Sequence, residues 1–178
     1  MDEIVKQALK KWPNVPHCYD WLALDARGDW YMRDDRIQAA GPFPKVKGSR
    51  IQHEKLREFI ERNYLHDDAG SWFFQNGPQR VYVELEAAPW VWRLQAGALG
   101  AAPALVSHTG LAACFASAWV DDAGRLFIDA DLGFGVVHTI DMELAADAVE
   151  AGAWAPGEVR FEELPGRFGY RLKPAKVG

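Results

Sequence analysis

The chain has 178 residues, 49% of them hydrophobic, and a formal net charge of −5; this suits one domain or two small ones with a real core and disfavours a general nucleic-acid binder, because affinity for phosphates grows with Lys and Arg contacts. No run of about 18 apolar residues is present to span a bilayer, and the N-terminus MDEIVKQALKKW alternates charge with apolar residues where a secretory signal needs a continuous apolar segment, so a cytoplasmic protein without a membrane partner is expected. Cys18 and Cys114 lie far apart without CxxC or Cys/His spacing, which argues against a disulfide framework or a zinc site and leaves two buried thiols as the expectation.

Ile4, Val5, Ala8, Leu9 and Trp12 recur at helical spacing, so residues 2–11 are predicted as an amphipathic helix that Pro13 stops. YDWLAL, the turn DARGD and WYM then read as a hairpin. AAGPFPKVKG, with two prolines and two glycines, reads as a loop. Ser49 and Gln52 have the spacing of a capping box, and the helix that follows is expected to reach Tyr64 and to bury Leu56, Phe59, Ile60 and Tyr64.

After DDAG at 67–70, SWFFQ and RVYVELE form strands around the turn NGPQ, and PWVWRL forms another, with Trp90, Trp92 and Leu94 on one face. QAGALGAAPALV changes character: it is rich in Ala and Gly, uncharged and interrupted by Pro103, so residues 96–106 are expected to be a linker between a half at 1–95 and a shorter half at 107–178. In the second half CFASAWV, the turn DDAG at 121–124 and RLFID form a hairpin, DLGFGVVHT crosses back, an Ala-rich helix covers about 141–150, and VRFEEL and YRLKP flank the turn PGRFG as strands.

The two halves run parallel in pattern. YDWLALDARGDWYM aligns with ASAWVDDAGRLFI around Gly28 and Gly124, Gly70 and Trp72 align with Gly152 and Trp154, and VELEAAPWVWRL aligns with FEELPGRFGYRL. An internal duplication is one account of this. The other is that α+β domains reuse an order of elements and that turn chemistry converges on Asp and Gly. In this reading DDAG at 121 corresponds to DARG at 25–28, whereas DDAG at 67 follows a helix and corresponds to the stretch near Gly152.

No motif assigns chemistry. His17 and Cys18 are adjacent in an extended stretch, so their side chains point to opposite faces. Ser107-His108-Thr109 lacks a nucleophile-elbow pattern. Histidines 17, 53, 66, 108 and 138 show no i, i+4 ligand spacing, and GFG at 133–135 lacks the setting of a dinucleotide loop. Asp67-Asp68 and Asp121-Asp122 are better explained as turn formers than as Ca²⁺ ligands or an acid/base pair. No metal or cofactor is expected.

Charge is uneven. Residues 1–62 carry 12 Lys+Arg against 10 Asp+Glu, and the remainder 8 against 15; the run Lys45, Lys47, Arg50, Lys55, Arg57 is a weak candidate nucleic-acid patch that a solvated face explains as well. Eight tryptophans stand out instead. They either fill a thin core or line a groove, in which Trp90 and Trp92 would grip a ligand edged by Arg80 and Arg93.

WPNVPHCYDWLALDARGDWYMRD and FFQNGPQRVYVELEAAPWVWRL together resemble an uncharacterised bacterial family of proteins of unknown function. The likeness covers most of residues 1–95 and implies a soluble bacterial protein, with no activity or site residue to carry over. The reading is therefore an α+β protein, mainly antiparallel sheet with three helices, whose first functional hypothesis is non-catalytic binding of a small anionic ligand or a protein partner. Its rival is a small enzyme with an unrecognised site where the halves meet.

Overall fold

A computed structural model describes residues 1–98 and 101–176. The chain divides into two compact units: Met1–Asp25, Asp29–Glu86 and the segment from Gly169 form the first, and Ala26–Gly28 with Ala87–Phe168 form the second.

Unit 1 is a six-stranded sheet in the order β3-β2-β1-β6-β5-β4. Its strands are β1 (Cys18–Leu24), β2 (Trp30–Met32), β3 (Ser49–Arg50), β4 (Tyr64–His66), β5 (Trp72–Asn76) and β6 (Gln79–Leu85). β1 and β6 are parallel, and the other neighbours are antiparallel. Helices α1 (Glu3–Lys11), α2 (Asp35–Ala40) and α3 (Glu54–Arg62) complete the unit. Both β1 and β6 are central, so their inner halves are covered on both faces: Leu22–Leu24 and Tyr82–Leu85 are all buried, Glu84 included.

Unit 2 is a seven-stranded sheet in the order β13-β10-β11-β12-β7-β8-β9, built from β7 (Trp90–Gln95), β8 (Ala104–Ser107), β9 (Ala112–Ala113), β10 (Phe115–Val120), β11 (Leu126–Ala130), β12 (Gly133–Val137) and β13 (Gly157–Glu158). β7 runs parallel to β12 and β10 parallel to β13. Helices α4 (Met142–Glu150) and α5 (Leu164–Phe168) belong to this unit, with 3₁₀ turns at Thr139–Asp141 and Phe161–Glu163.

The α+β class stands, with corrections in detail. Five α-helices are described where three were expected, and both sheets are mixed, because a parallel pairing joins antiparallel hairpins within each. The expected strand VRFEEL is mostly a 3₁₀ turn that leads into α5, and YRLKP has no regular structure. The end of the expected linker, from Ala104 to Val106, belongs to β8, antiparallel to β7; Leu99 and Gly100 lie outside the described residues. Ser49 is on β3, and the cap of α3 is His53, whose Nδ1 accepts the Leu56 N–H at 3.3 Å. The two cysteines are unpaired, but Cys18 is half-buried and Cys114 exposed.

Candidate functional site

β1 does not pair regularly with β6. Cys18 lies opposite Val81 and Leu22 opposite Val83, so Tyr19, Asp20 and Trp21 stand against Tyr82 alone. The strand absorbs the excess as a bulge in which Asp20 takes φ +67°, the one positive φ outside glycine among the described residues. Asp tolerates this left-handed conformation better than most residues, yet it is strained, and bulges of this kind re-aim side chains. Arg33 N–H donates to the Trp21 carbonyl at 2.9 Å and fixes the bulge from the β2 side. As a result Trp21 joins Cys18 and Leu22 on one face of the sheet, while Tyr19 and Asp20 turn toward Tyr82 and Glu84 on the other.

On the first face, α3 and the sheet enclose a cleft of about 320 Å³. Its walls are apolar: Trp21, Met32, Leu56, Phe59 and Phe74 contribute, and the Asn76 amide and the Cys18 thiol are the polar groups. Trp21 (39% exposed), Met32 (47%) and Leu56 (36%) leave large apolar surface open to solvent at one place. Leu56 and Phe59 were expected to be buried under their helix; α3 buries Ile60 alone. Burial, assisted by the Asp20 charge, pushes the Cys18 thiol above its ordinary value, so it is protonated at neutral pH. His17 sits edge-on to Tyr82, with ring centroids 5.7 Å apart, and so does not share the cleft with Cys18.

The second face carries charge. Glu84 is 4% exposed and Arg33 2% exposed, and Arg33 Nη1 donates to Glu84 Oε1 at 3.3 Å. Arg33 Nη2 donates to the Gly41 carbonyl at 2.7 Å. Lys173 Nζ, from the C-terminal segment, lies 3.5 Å from Asp20 Oδ1 and 3.8 Å from Glu84 Oε1. Burial raises the Glu84 carboxyl above the usual range; Lys173 and Arg33 oppose the rise, and the neighbouring Asp20 carboxyl, within hydrogen-bonding reach, adds to it. Beside this cluster the Tyr19 and Tyr82 rings stack at 4.6 Å, and Arg80 lies over the Phe73 ring at 4.4 Å.

The residues singled out from sequence are distributed differently. Trp90 and Trp92 lie side by side on β7, stacked at 6.1 Å, and both are core residues: Trp92 is fully buried, and the indole N–H groups donate to the Leu132 and Ile128 carbonyls at 2.9 and 3.0 Å. Arg93, between Trp92 and Leu94, is exposed and forks onto Asp141 at 2.6 and 3.3 Å. Burial would raise the Asp141 carboxyl, but Arg93 and the Leu94 N–H hold it below its ordinary value. Arg80 belongs to the other unit, on the aromatic face just described. Asp20, Trp21, Glu84 and Lys173 were not singled out. CYDWLAL does lack clean alternation, and that is the one trace of the bulge in the sequence.

Among the described residues no group of three or more His, Cys, Asp or Glu converges as metal ligands, and no helix is long and apolar enough to cross a membrane.

The sequence matches the family described as "Protein of unknown function (DUF2946)" over residues 1–175. No curated protein matches it. Two crystal structures of DUF1285 family proteins are similar. The one from Silicibacter pomeroyi has a TM-score of 0.51 at 12% identity, covering 83% of this chain and 84% of that one. The one from Shewanella baltica has a TM-score of 0.49 at 13% identity, covering 71% and 91%. At such identity the first likeness shows the fold alone.

Proposed function

The chain belongs to the DUF2946 family of proteins of unknown function, and from that premise we propose a non-catalytic binding role in which the cleft of unit 1 takes up a small acid with an apolar body. The observation that carries this reading is the cleft itself: about 320 Å³, walled by aromatic and aliphatic side chains, three of which remain exposed. That volume is at the lower end of ligand sites, which are mostly apolar with a few placed polar groups. Here the Asn76 amide is the group that would meet the polar end of the ligand, and a fatty-acyl or aromatic body would cover Trp21, Met32 and Leu56. The protonated Cys18 thiol favours binding over nucleophilic chemistry. Two unpaired cysteines support a reducing, cytoplasmic setting as part of the same reading.

The test is a thermal-shift and calorimetric screen with short-chain fatty acids and aromatic acids. A ligand at 100 times its dissociation constant adds about 2.7 kcal/mol of stability. Leu56→Glu, at a partly exposed helical position where Glu is well tolerated, sets a like charge beside the acid and should leave the fold intact and abolish that gain. Equal stabilisation of Leu56→Glu and the parent protein, or a flat screen, would remove the cleft from consideration.

A further inference from the structure

We propose that the segment from Gly169 to Lys176 is an exchangeable strap, and that its seat on unit 1 is an interaction surface for the same segment of a second copy of this chain. The chain completes unit 2 at Phe168 and then returns to unit 1, so unit 1 receives its last piece as a separate stretch that lies outside helices and strands. Residues of unit 1 hold it. Arg171 N–H donates to the Gly70 carbonyl and Arg171 Nε to the Ala69 carbonyl, both at 3.0 Å, and Leu85 N–H donates to the Leu172 carbonyl at 2.8 Å. Tyr170 and Pro174 are buried, and Lys173 Nζ stands 3.5 Å from Asp20 and 3.8 Å from Glu84. Backbone pairing at the end of β6, joined to places for particular side chains, is how a sheet recognises an added peptide.

The seat is shaped to this segment. A Cβ on Gly70 would run into the Gly169 carbonyl and come within 3.1 Å of Tyr170 Cα, so the strap passes at a distance that only glycine permits. Gly169 itself, where the strap leaves α5, has φ +67°, and a Cβ there would meet nothing within 4 Å. That residue has both the freedom and the room to act as a hinge. The contacts made by a second copy's strap are the same as those made by the chain's own, whose advantage is the tether, worth an effective concentration of about millimolar for a short linker. Beyond the tether the hold is loose at Lys173, whose separations are ion-pair contacts at the outer edge of hydrogen-bonding range and whose side chain is 63% exposed. Exchange is therefore a low-cost route to a dimer in which each copy completes unit 1 of the other.

The probe is a fluorescently labelled peptide of residues 169–176, GYRLKPAK. The variant is Arg171→Ala/Lys173→Ala, which weakens the tethered competitor at two exposed side chains and leaves the seat intact. Fluorescence anisotropy should show the variant binding the peptide about tenfold more tightly than the parent protein does, because the lost hydrogen bond and ion pair handicap the tethered strap alone. The same peptide with both residues replaced by alanine should bind the variant about tenfold more weakly. Parent protein unfolded and refolded at about millimolar concentration should contain dimers by light scattering, and excess peptide during refolding should suppress them. No uptake by the variant, equal uptake of the two peptides, or refolded protein that stays monomeric would overturn the exchange. Lys173 meets Asp20 and Glu84 on the sheet face opposite the cleft, so Leu56→Glu should leave all of these outcomes unchanged.

Discussion

Asp-Asp-Ala-Gly occurs twice, at 67–70 in unit 1 and at 121–124 in unit 2, and the two copies fold to the same turn. In each, the first Asp N–H donates to the carbonyl four residues on, the Gly N–H donates back to the first Asp carbonyl, and Oδ1 of the first Asp accepts two N–H groups: Ala69 and Ser71 in one copy, Ala123 and Arg125 in the other. Gly70 has φ +78° and Gly124 φ +76°. What differs is how the rest of each unit uses the turn. The C-terminal segment grips the first through its backbone, with Arg171 donating from its N–H to the Gly70 carbonyl and from Nε to the Ala69 carbonyl, both at 3.0 Å. The second is gripped through its side chains: Arg125 donates to Asp121 Oδ2 at 2.8 Å, and Asp122 Oδ1 accepts the Phe161 N–H at 2.9 Å. Identical local chemistry therefore leaves open what a turn is for.

The glycines test this most strongly. A Cβ on Gly70 would run into the Gly169 carbonyl and come within 3.1 Å of Tyr170 Cα, whereas one on Gly124 would meet nothing within 4 Å. Both positions carry the cost of positive φ, about 1 kcal/mol, but only the first adds a clash with backbone that cannot move aside. Gly70→Ala should destabilise by about 3 kcal/mol or more, in the range reserved for strain and overpacking. Gly124→Ala should lose about 1 kcal/mol. Denaturant unfolding of the two variants gives the comparison directly, and equal losses would mean that the C-terminal segment does not hold the first turn.

Much of the fold was legible where the signal is local. α1, α4, and the hairpins β1–β2, β5–β6 and β10–β11 all lie near their expected positions, because helical spacing and Asp/Gly turn chemistry are short-range. The errors came where two patterns coincide. Tyr64 continues the spacing of Ile60 and so reads as helix, which hides β4 and makes the first DDAG look like a helix terminus; that DDAG is a hairpin turn, as the second is. Gly152 by contrast does end a helix, with Ala153 N–H donating to the Ala148 carbonyl at 2.9 Å. Between 158 and 170 the alternation of VRFEEL outweighed a better clue: Phe161, Leu164 and Phe168 at helical spacing, with Pro165 in the first turn of a helix.

The candidate site was hardly legible at all. The bulge arises from the register between β1 and β6, some sixty residues apart, and its one local trace is the missing alternation of CYDWLAL. Trp90 and Trp92 were visible as strand residues. Their burial depends on β11 and β12 and on carbonyls near positions 128 and 132 that satisfy their N–H groups, all supplied by chain that lies beyond them.

The second residues of the two turns provide the smallest and most selective test. Asp68 is exposed, while Asp122 spans from its turn to the start of the 3₁₀ helix at Phe161–Glu163. The Phe161 N–H, its largest influence, together with its own backbone N–H and the nearby Arg160 and Arg125, holds the Asp122 carboxyl below its ordinary value despite some desolvation. A depressed carboxylate pKa contributes stability that is fully present above the unfolded value, near 3.9, and is lost as pH falls through the folded value. Asp122→Ala should therefore lower the melting temperature of unit 2 slightly at pH 7, and the gap to the parent should close on acidification below about pH 4. Asp68→Ala should leave the melting temperature unchanged at either pH. A melting series from pH 7 to pH 3 would show this, and a gap for Asp122→Ala that persisted undiminished in acid would mean that its carboxylate does not hold the Phe161 N–H, and that the two turns differ only in their glycines.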